Sequence, residues 1–206
     1  MPQRHLLIQG TITHWVFDLD GTLTLPIHDF SLIKRLLQIP DHADILDFLK
    51  QLPVNERQKR YALLHSHEEE LADAATAAPG AVALITALHT RGDRLGIVTR
   101  NSRSIASRTL HAIGLSDYFD TRAIIGRDEA EPKPNPAGIR ALQKQWGASL
   151  AEMVMVGDYI HDLAAGKAAS IATIHVSRPD RQRWPEASDV MVEDLAELLD
   201  LITQIP

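Results

Sequence analysis

The chain has 206 residues, of which 45% are hydrophobic and 23% charged, and its formal net charge is −6 at pH 7. This composition is that of a globular protein with a sizeable core and excludes an intrinsically disordered chain. The acidic balance argues against a nucleic-acid-binding face, and the lack of any cysteine excludes disulfides and thiolate chemistry.

No segment predicts a membrane helix or a targeting signal. The sequence has no apolar run that approaches the roughly 18 residues needed to span a bilayer. The first ten residues, MPQRHLLIQG, contain no long apolar stretch after their charged residues, so we expect no signal peptide. The sequence therefore predicts a cytoplasmic protein with no membrane partner, and it does not indicate an oligomeric state.

The first predicted strand, ITHWVF at residues 12–17, runs directly into two aspartates. Asp18 and Asp20 follow its apolar residues within the stretch HWVFDLDGTLT. Carboxylates at the end of a buried strand are costly unless a cation or a substrate makes use of them. The end of this strand is therefore a candidate functional site.

Residues 25–79 contain no convincing strand and have helical patterns instead. Helices are predicted in three segments, at 29–37, 42–52 and 55–78. We interpret the EEE run at 68–70 as a solvated helix face. The sequence thus predicts a core domain formed by residues 1–24 and 80–206, and a helical cap domain, residues 25–79, inserted after the first core strand.

From about residue 80 onwards, strands and helices alternate. Short, largely apolar runs predict strands at 94–99, 123–125, 152–157 and 171–176, with a last short strand that begins at residue 190. Helical patterns predict helices at 81–91, 102–112, 136–146, 159–168 and 193–203. This alternation predicts an α/β fold with a doubly wound, Rossmann-like parallel sheet and helices on both faces.

Polar residues follow four of the predicted strands. Because ligands of a doubly wound sheet bind beyond the carboxyl ends of its strands, these side chains are expected at one edge. They are Asp18, Asp20, Thr99, Arg100, Asn101, Lys133, Asp158 and Asp162. Taken singly, Thr99 or Asp158 would be interpreted as a helix cap, and Lys133 as a solvated loop residue.

Taken together, these residue types point to phosphate chemistry. Converging carboxylates repel one another unless a cation lies among them, and Mg²⁺ prefers carboxylate ligands. A hydroxyl and an ammonium group suit a phosphoryl oxygen. The sequence therefore predicts a site for Mg²⁺ and a small anionic substrate.

Four motifs carry a family resemblance: DLDGTLT, IVTRN, PKPNP and VGDYIHD, in this order. With them the chain resembles the haloacid dehalogenase (HAD) superfamily, in particular its phosphoglycolate phosphatase-like subgroup with a small helical cap. The resemblance covers nearly the whole chain. It implies an Mg²⁺-dependent phosphatase that hydrolyses a small phosphorylated metabolite through an aspartyl-phosphate. An acid at the position of Asp20 points to phosphoryl transfer, because dehalogenating members lack it.

The resemblance also implies a role for each matching residue. Asp18 would be the nucleophile and Asp20 the general acid/base. The phosphate-binding residues would be Thr99, Arg100 through its backbone N–H, and Lys133. The metal ligands would be Asp18, Asp20 through its carbonyl, Asp158 and Asp162, the last directly or through water.

Arg100 departs from the family's pattern, in which a small residue or Asn commonly follows the threonine. It would either contact a second anionic group of the substrate or pair with a surface acid. The cap residues that are candidates for selecting the substrate are His28, Arg57, Lys59, Arg60 and His65. These side chains do not identify the phosphate ester.

The sequence leaves three other functions open. A phosphomutase would use the same scaffold and pass the phosphoryl group to a sugar hydroxyl. A phospho-accepting regulatory domain would keep it on aspartate, although Asp20 and the helical insertion argue against this class. A non-catalytic scaffold is the third, against which the acids present in every motif argue.

Overall fold

Within residues 12–178 and 182–203, which the computed structural model describes, six parallel strands form the central sheet. The strands are β1 His14–Phe17, β2 Arg94–Val98, β3 Ile124–Ile125, β4 Met153–Gly157, β5 Ala172–Val176 and β6 Val190–Val192. Their order across the sheet is β3-β2-β1-β4-β5-β6, and every neighbouring pair is parallel. The predicted doubly wound α/β fold is confirmed.

The same residues contain eight α-helices. They are α1 Phe30–Leu36, α2 Ile45–Gln51, α3 Val54–Asp73, α4 Ala81–Arg91, α5 Arg103–Ala112, α6 Ala137–Trp146, α7 Ile160–Ala168 and α8 Leu195–Thr203. None of these described helices combines the length and the hydropathy needed to cross a membrane. The residues interpreted as lacking a signal peptide, 1–10, lie outside the described part of the chain.

The two faces of the sheet bury separate hydrophobic clusters, because successive side chains of a strand point in opposite directions. Trp15 and Phe17 of β1 pack in one cluster with residues of α4, α5 and α8. Val16, between them, packs in the other with residues of α6 and α7. Burial on both faces explains why the strands are almost continuously apolar.

Helices α1, α2 and α3 lie between β1 and α4 in the chain and have a small hydrophobic cluster of their own. Its buried members are Ile33, Leu37, Ile39, Leu46, Leu49 and Leu64. The division of the chain into a core domain and a cap domain at residues 25–79 stays a prediction.

The third predicted helix was expected to reach residue 78, and this prediction is wrong, because α3 ends at Asp73. The residues after it pair with the chain that leaves β1. The N–H of Leu25 donates to the carbonyl of Thr76 at 2.9 Å, and the N–H of Ala78 donates to the carbonyl of Leu23 at 2.8 Å. The chain therefore leaves the sheet and returns to it through two paired antiparallel segments, which end the helix early.

The strand order places β1 between β2 and β4, and the order reverses direction at β1. Ligands of such sheets bind at the carboxyl ends of the strands beside this reversal. Asp18 follows β1 and Asp158 follows β4, so both residues lie at the expected edge.

Candidate active site

Asp18 extends the ladder of β1 by one residue, since its N–H donates to the carbonyl of Val156 at 2.9 Å. Its side chain is buried. The turn that follows depends on Gly21, which has a φ of 90° and lies against Asp158. A Cβ at Gly21 would lie 2.5 Å from Oδ2 of Asp158, so only glycine fits the conformation and the space.

Lys133 links two acids of the site. Its Nζ atom lies 2.5 Å from Oδ1 of Asp18 and 2.7 Å from Oδ1 of Asp162, and the lysine side chain is 2% exposed. Burial alone would lower the pKa of Lys133, but the charges of Asp162 and Asp18 outweigh burial and raise it. The ammonium group therefore stays charged although it is buried.

Three carboxylates form a compact cluster. Asp18, Asp158 and Asp162 each offer one oxygen, and these oxygens lie within 4.8 Å of one another. Burial, and next the charges of Asp18 and Asp162, raise the pKa of Asp158 to about 7. Such mutual repulsion and an all-oxygen donor set fit a hard divalent cation.

Asp20 faces a different set of partners. Its Oδ2 accepts a hydrogen bond from Nδ2 of Asn101 at 2.7 Å, and its Oδ1 lies 3.9 Å from Nε2 of His28. Burial, and next the charge of Asp18, raise the pKa of Asp20 to about 8. Its side chain lies outside the three-carboxylate cluster, and a metal contact through its backbone carbonyl stays a prediction.

The alternative interpretation of Thr99 and Asp158 as helix caps is wrong. Ser102 caps α5 and accepts a hydrogen bond from the N–H of Ile105 at 3.3 Å. Asp158 instead accepts a hydrogen bond from the hydroxyl of Thr22 at 3.3 Å. Thr99 is 3% exposed and directly follows β2, and its hydroxyl accepts a hydrogen bond from the N–H of Asn101 at 3.1 Å, outside α5.

Arg100 is held by the helical insertion. One of its terminal nitrogens lies 2.8 Å from Oδ1 and 2.6 Å from Oδ2 of Asp44, the N-cap residue of α2. Its other terminal nitrogen lies 2.8 Å from Nδ1 of His161. Of the two alternatives for Arg100, the structure contains a pair with an acid, and this acid caps α2. A contact with the substrate stays a prediction.

Of the five cap residues predicted as selectors, His28 alone lies beside a predicted catalytic residue. Arg60 donates to the carbonyls of Leu37 and Gln38, at distances of 2.6 and 3.1 Å. The other three residues have polar contacts within the helical insertion. Arg57 donates to the carbonyl of Lys50, Lys59 pairs with Glu56, and His65 lies near Glu69.

The interpretation of the EEE run as a solvated face is wrong for its first member. Glu68 is 5% exposed and pairs with Arg127. It lies on the buried side of α3 together with Leu64 and Ala72. Their spacing of four residues is the signal from which the burial could have been predicted.

The fold and this arrangement define an α/β enzyme with a carboxylate–lysine centre at the carboxyl ends of its strands. The family model described as "Haloacid dehalogenase-like hydrolase" matches residues 32–176, and the chain belongs to this family. The matched range includes Thr99, Lys133, Asp158 and Asp162.

Two relatives and one solved structure extend the comparison. The pyrophosphatase PpaX of Listeria monocytogenes is 30% identical, over 94% of this chain and 97% of its own length. The phosphoglycolate phosphatase of Rhodospirillum rubrum is 38% identical, over 56% of this chain and 47% of its own length. A hydrolase from Pseudomonas syringae shares the fold with a TM-score of 0.74 at 23% identity, with 94% of this chain and 99% of that chain covered.

Proposed function

We propose that this hydrolase is an Mg²⁺-dependent phosphatase of a small phosphorylated metabolite. The observation that carries the proposal is the convergence of Lys133, Asp18, Asp158 and Asp162 at one point of the sheet edge. A buried ammonium group beside a carboxylate cluster suits a phosphoryl group and a divalent cation. Two relatives, a pyrophosphatase and a phosphoglycolate phosphatase, support cleavage of a phosphate ester or anhydride.

In the proposed mechanism Asp18 is the nucleophile. Burial raises its pKa to about 6 while Lys133 opposes this rise, so the carboxylate is largely ionised at neutral pH. Its oxygen attacks the phosphorus in line, the bond between phosphorus and the ester oxygen breaks, and an aspartyl-phosphate forms. The charge of Lys133 offsets the negative charge that the phosphoryl group brings into the buried site.

Asp20 acts first as an acid and then as a base. With a pKa of about 8 it is protonated at neutral pH, so it can donate its proton to the leaving alkoxide. The resulting carboxylate accepts a proton from the water that attacks the aspartyl-phosphate. Hydrolysis releases inorganic phosphate and regenerates Asp18. The separation of the two pKa values supports an ionised role for Asp18 and a protonated role for Asp20.

Asp18, Asp158 and Asp162 would hold the cation, with the backbone carbonyl of Asp20. A bound Mg²⁺ supplies charge neutralisation at the phosphoryl oxygens. The hydroxyl of Thr99 and the backbone N–H of Arg100 are proposed to donate hydrogen bonds to these oxygens.

The test is a phosphate-release screen of small phosphate esters with Mg²⁺, with the Asp18→Asn variant as the control. The panel includes phosphoglycolate, and it includes pyrophosphate because a pyrophosphatase aligns with 94% of this chain. We expect Mg²⁺-dependent phosphate release that the control lacks.

Other outcomes of the screen would support the alternatives. Isomerised sugar phosphate from a hexose 1-phosphate, without free phosphate, would establish a phosphomutase. A lasting phosphoryl group on Asp18 without turnover would establish a phospho-accepting domain.

A further inference from the structure

A continuous set of contacts joins helix α3 to Asp20. It begins with Glu68, whose Oε1 and Oε2 accept hydrogen bonds from the two terminal nitrogens of Arg127 at 2.6 and 2.8 Å. Both side chains are 6% exposed. Because a buried pair with two parallel hydrogen bonds has a strict geometry, Glu68 sets the position of the Arg127 guanidinium.

Arg127 in turn holds the peptide that carries Asn101. Its backbone N–H donates to the carbonyl of Asn101 at 2.9 Å, and its guanidinium donates to the carbonyl of Arg100 at 3.4 Å. The side chain of Asn101, 9% exposed, then donates to Oδ2 of Asp20 at 2.7 Å. The orientation of the Asp20 carboxyl group therefore depends on a peptide segment that Arg127 holds through two hydrogen bonds.

The other described ion pairs between α3 and the core do not lead to Asp20. Arg108 of α5 pairs with Asp73 and Glu69 of α3, but these side chains are 40 to 57% exposed. Exposed pairs of this kind contribute little to stability and are screened by salt. Arg108 thus offers a matched control, since it also joins α3 to the core.

We propose that Glu68 and Arg127 are positioning residues that orient Asp20 through Asn101. The inference rests on the proposed function, because it concerns the proton that Asp20 gives to the leaving group. A misplaced acid slows the cleavage of esters whose leaving alkoxide needs a proton, and it leaves esters with an acidic leaving group nearly unaffected. A residue with a merely structural role would affect both classes equally.

The test compares an alkyl phosphate substrate with p-nitrophenyl phosphate in the Glu68→Gln, Arg127→Met and Asn101→Ala variants. The quantity compared is kcat/KM, which reports the steps up to the aspartyl-phosphate and not its later hydrolysis. We expect kcat/KM for the alkyl ester to fall by about 10- to 100-fold, the effect of misplacing a reacting group by about 1 Å. For p-nitrophenyl phosphate kcat/KM should change by less than about threefold, because its leaving group needs no proton. Asp20→Asn should show the same selectivity in kcat/KM, while its kcat falls for both esters because hydrolysis of the aspartyl-phosphate also uses Asp20.

Two controls separate the outcomes. Arg108→Met should leave both substrates at wild-type rates, and circular dichroism checks folding, with Glu68→Gln as the isosteric variant if Arg127→Met does not fold. Equal losses of kcat/KM on both esters, or no loss on either, would overturn the positioning role. Absence of turnover by the wild-type protein on both esters would instead contradict the proposed function.

Discussion

The ammonium group of Lys133 lies 2.5 Å from Oδ1 of Asp18, although 115 residues separate them in the chain. It also lies 2.7 Å from Oδ1 of Asp162. One buried cation thus neutralises part of a cluster that contains three carboxylates. Burial, and next the remaining negative charge of the cluster, raise the pKa values of Asp18 and Asp158 and thereby determine how the site responds to substitution, pH and metal.

Replacement of the nucleophile tests the covalent mechanism. The Asp18→Asn variant keeps the shape of the side chain but is expected to lose phosphate release, because an amide does not form the aspartyl-phosphate. Its fold should persist, since the substitution removes one of three repelling carboxylates and Lys133 keeps its contact with Asp162. Phosphate release and circular dichroism measure the two effects. Normal phosphate release by this variant would refute the covalent route.

Replacement of the acid/base should slow the reaction and change its pH dependence. We expect Asp20→Asn to lower kcat by about 10²- to 10⁴-fold, the contribution of general acid–base catalysis. In the wild-type protein kcat/KM should fall as the pH rises through about 8, where Asp20 loses its proton. The variant should lack this alkaline decline, and pH–rate profiles of both proteins provide the check. A decline that persists in the variant would assign it to another group.

The free energy of unfolding should fall with rising pH when Mg²⁺ is absent, and Mg²⁺ should reduce this fall. Asp18, Asp20 and Asp158 have pKa values raised from 3.8 to about 6, 8 and 7. The folded state without metal therefore binds more protons than the unfolded state, so its free energy of unfolding should fall as the pH rises from about 4 to about 8. Mg²⁺ should offset this loss, because it binds the ionised carboxylates of the folded state.

Thermal unfolding at about pH 5 and about pH 8, with EDTA or with Mg²⁺, measures this effect. The increase in Tm caused by Mg²⁺ should be larger at the higher pH. An equal increase for Asp158→Asn and the wild-type protein would place the cation elsewhere.

The role of Arg100 can be decided by comparing it with its partner. If Arg100 serves to hold Asp44, then Arg100→Lys and Asp44→Asn should lower kcat/KM by similar factors, and the double variant should be no worse than either. The control is Lys50→Met, which removes an exposed pair between α2 and Glu131 and should leave activity within about threefold. An increase in KM for Arg100→Lys alone would indicate that Arg100 contacts the substrate.

The fold was predictable because the strands are buried on both faces and therefore show as short apolar runs. The predicted strands differ from the observed ones by at most two residues at either end, except for the end of the last strand, which was not predicted. The predicted end of α3 was wrong for a long-range reason. Thr24 forms an antiparallel bridge with Ala77, and no local pattern in the sequence predicts this pairing. Helix propensity continued beyond Asp73, but the pairing of the two connecting segments prevailed.

The sequence by itself determined which acids meet, because parallel strands bring their carboxyl ends to one edge whatever the details of packing. Asp18, Asp158 and Asp162 follow strands in this way, and the structure brings them together. Tertiary structure alone decided the partners of Arg100 and Glu68 and the contact between Asn101 and Asp20. These pairs are separated by 56, 59 and 81 residues. The first two depend on how the helical insertion packs on the sheet, which is governed by surface complementarity rather than by any periodicity along the chain.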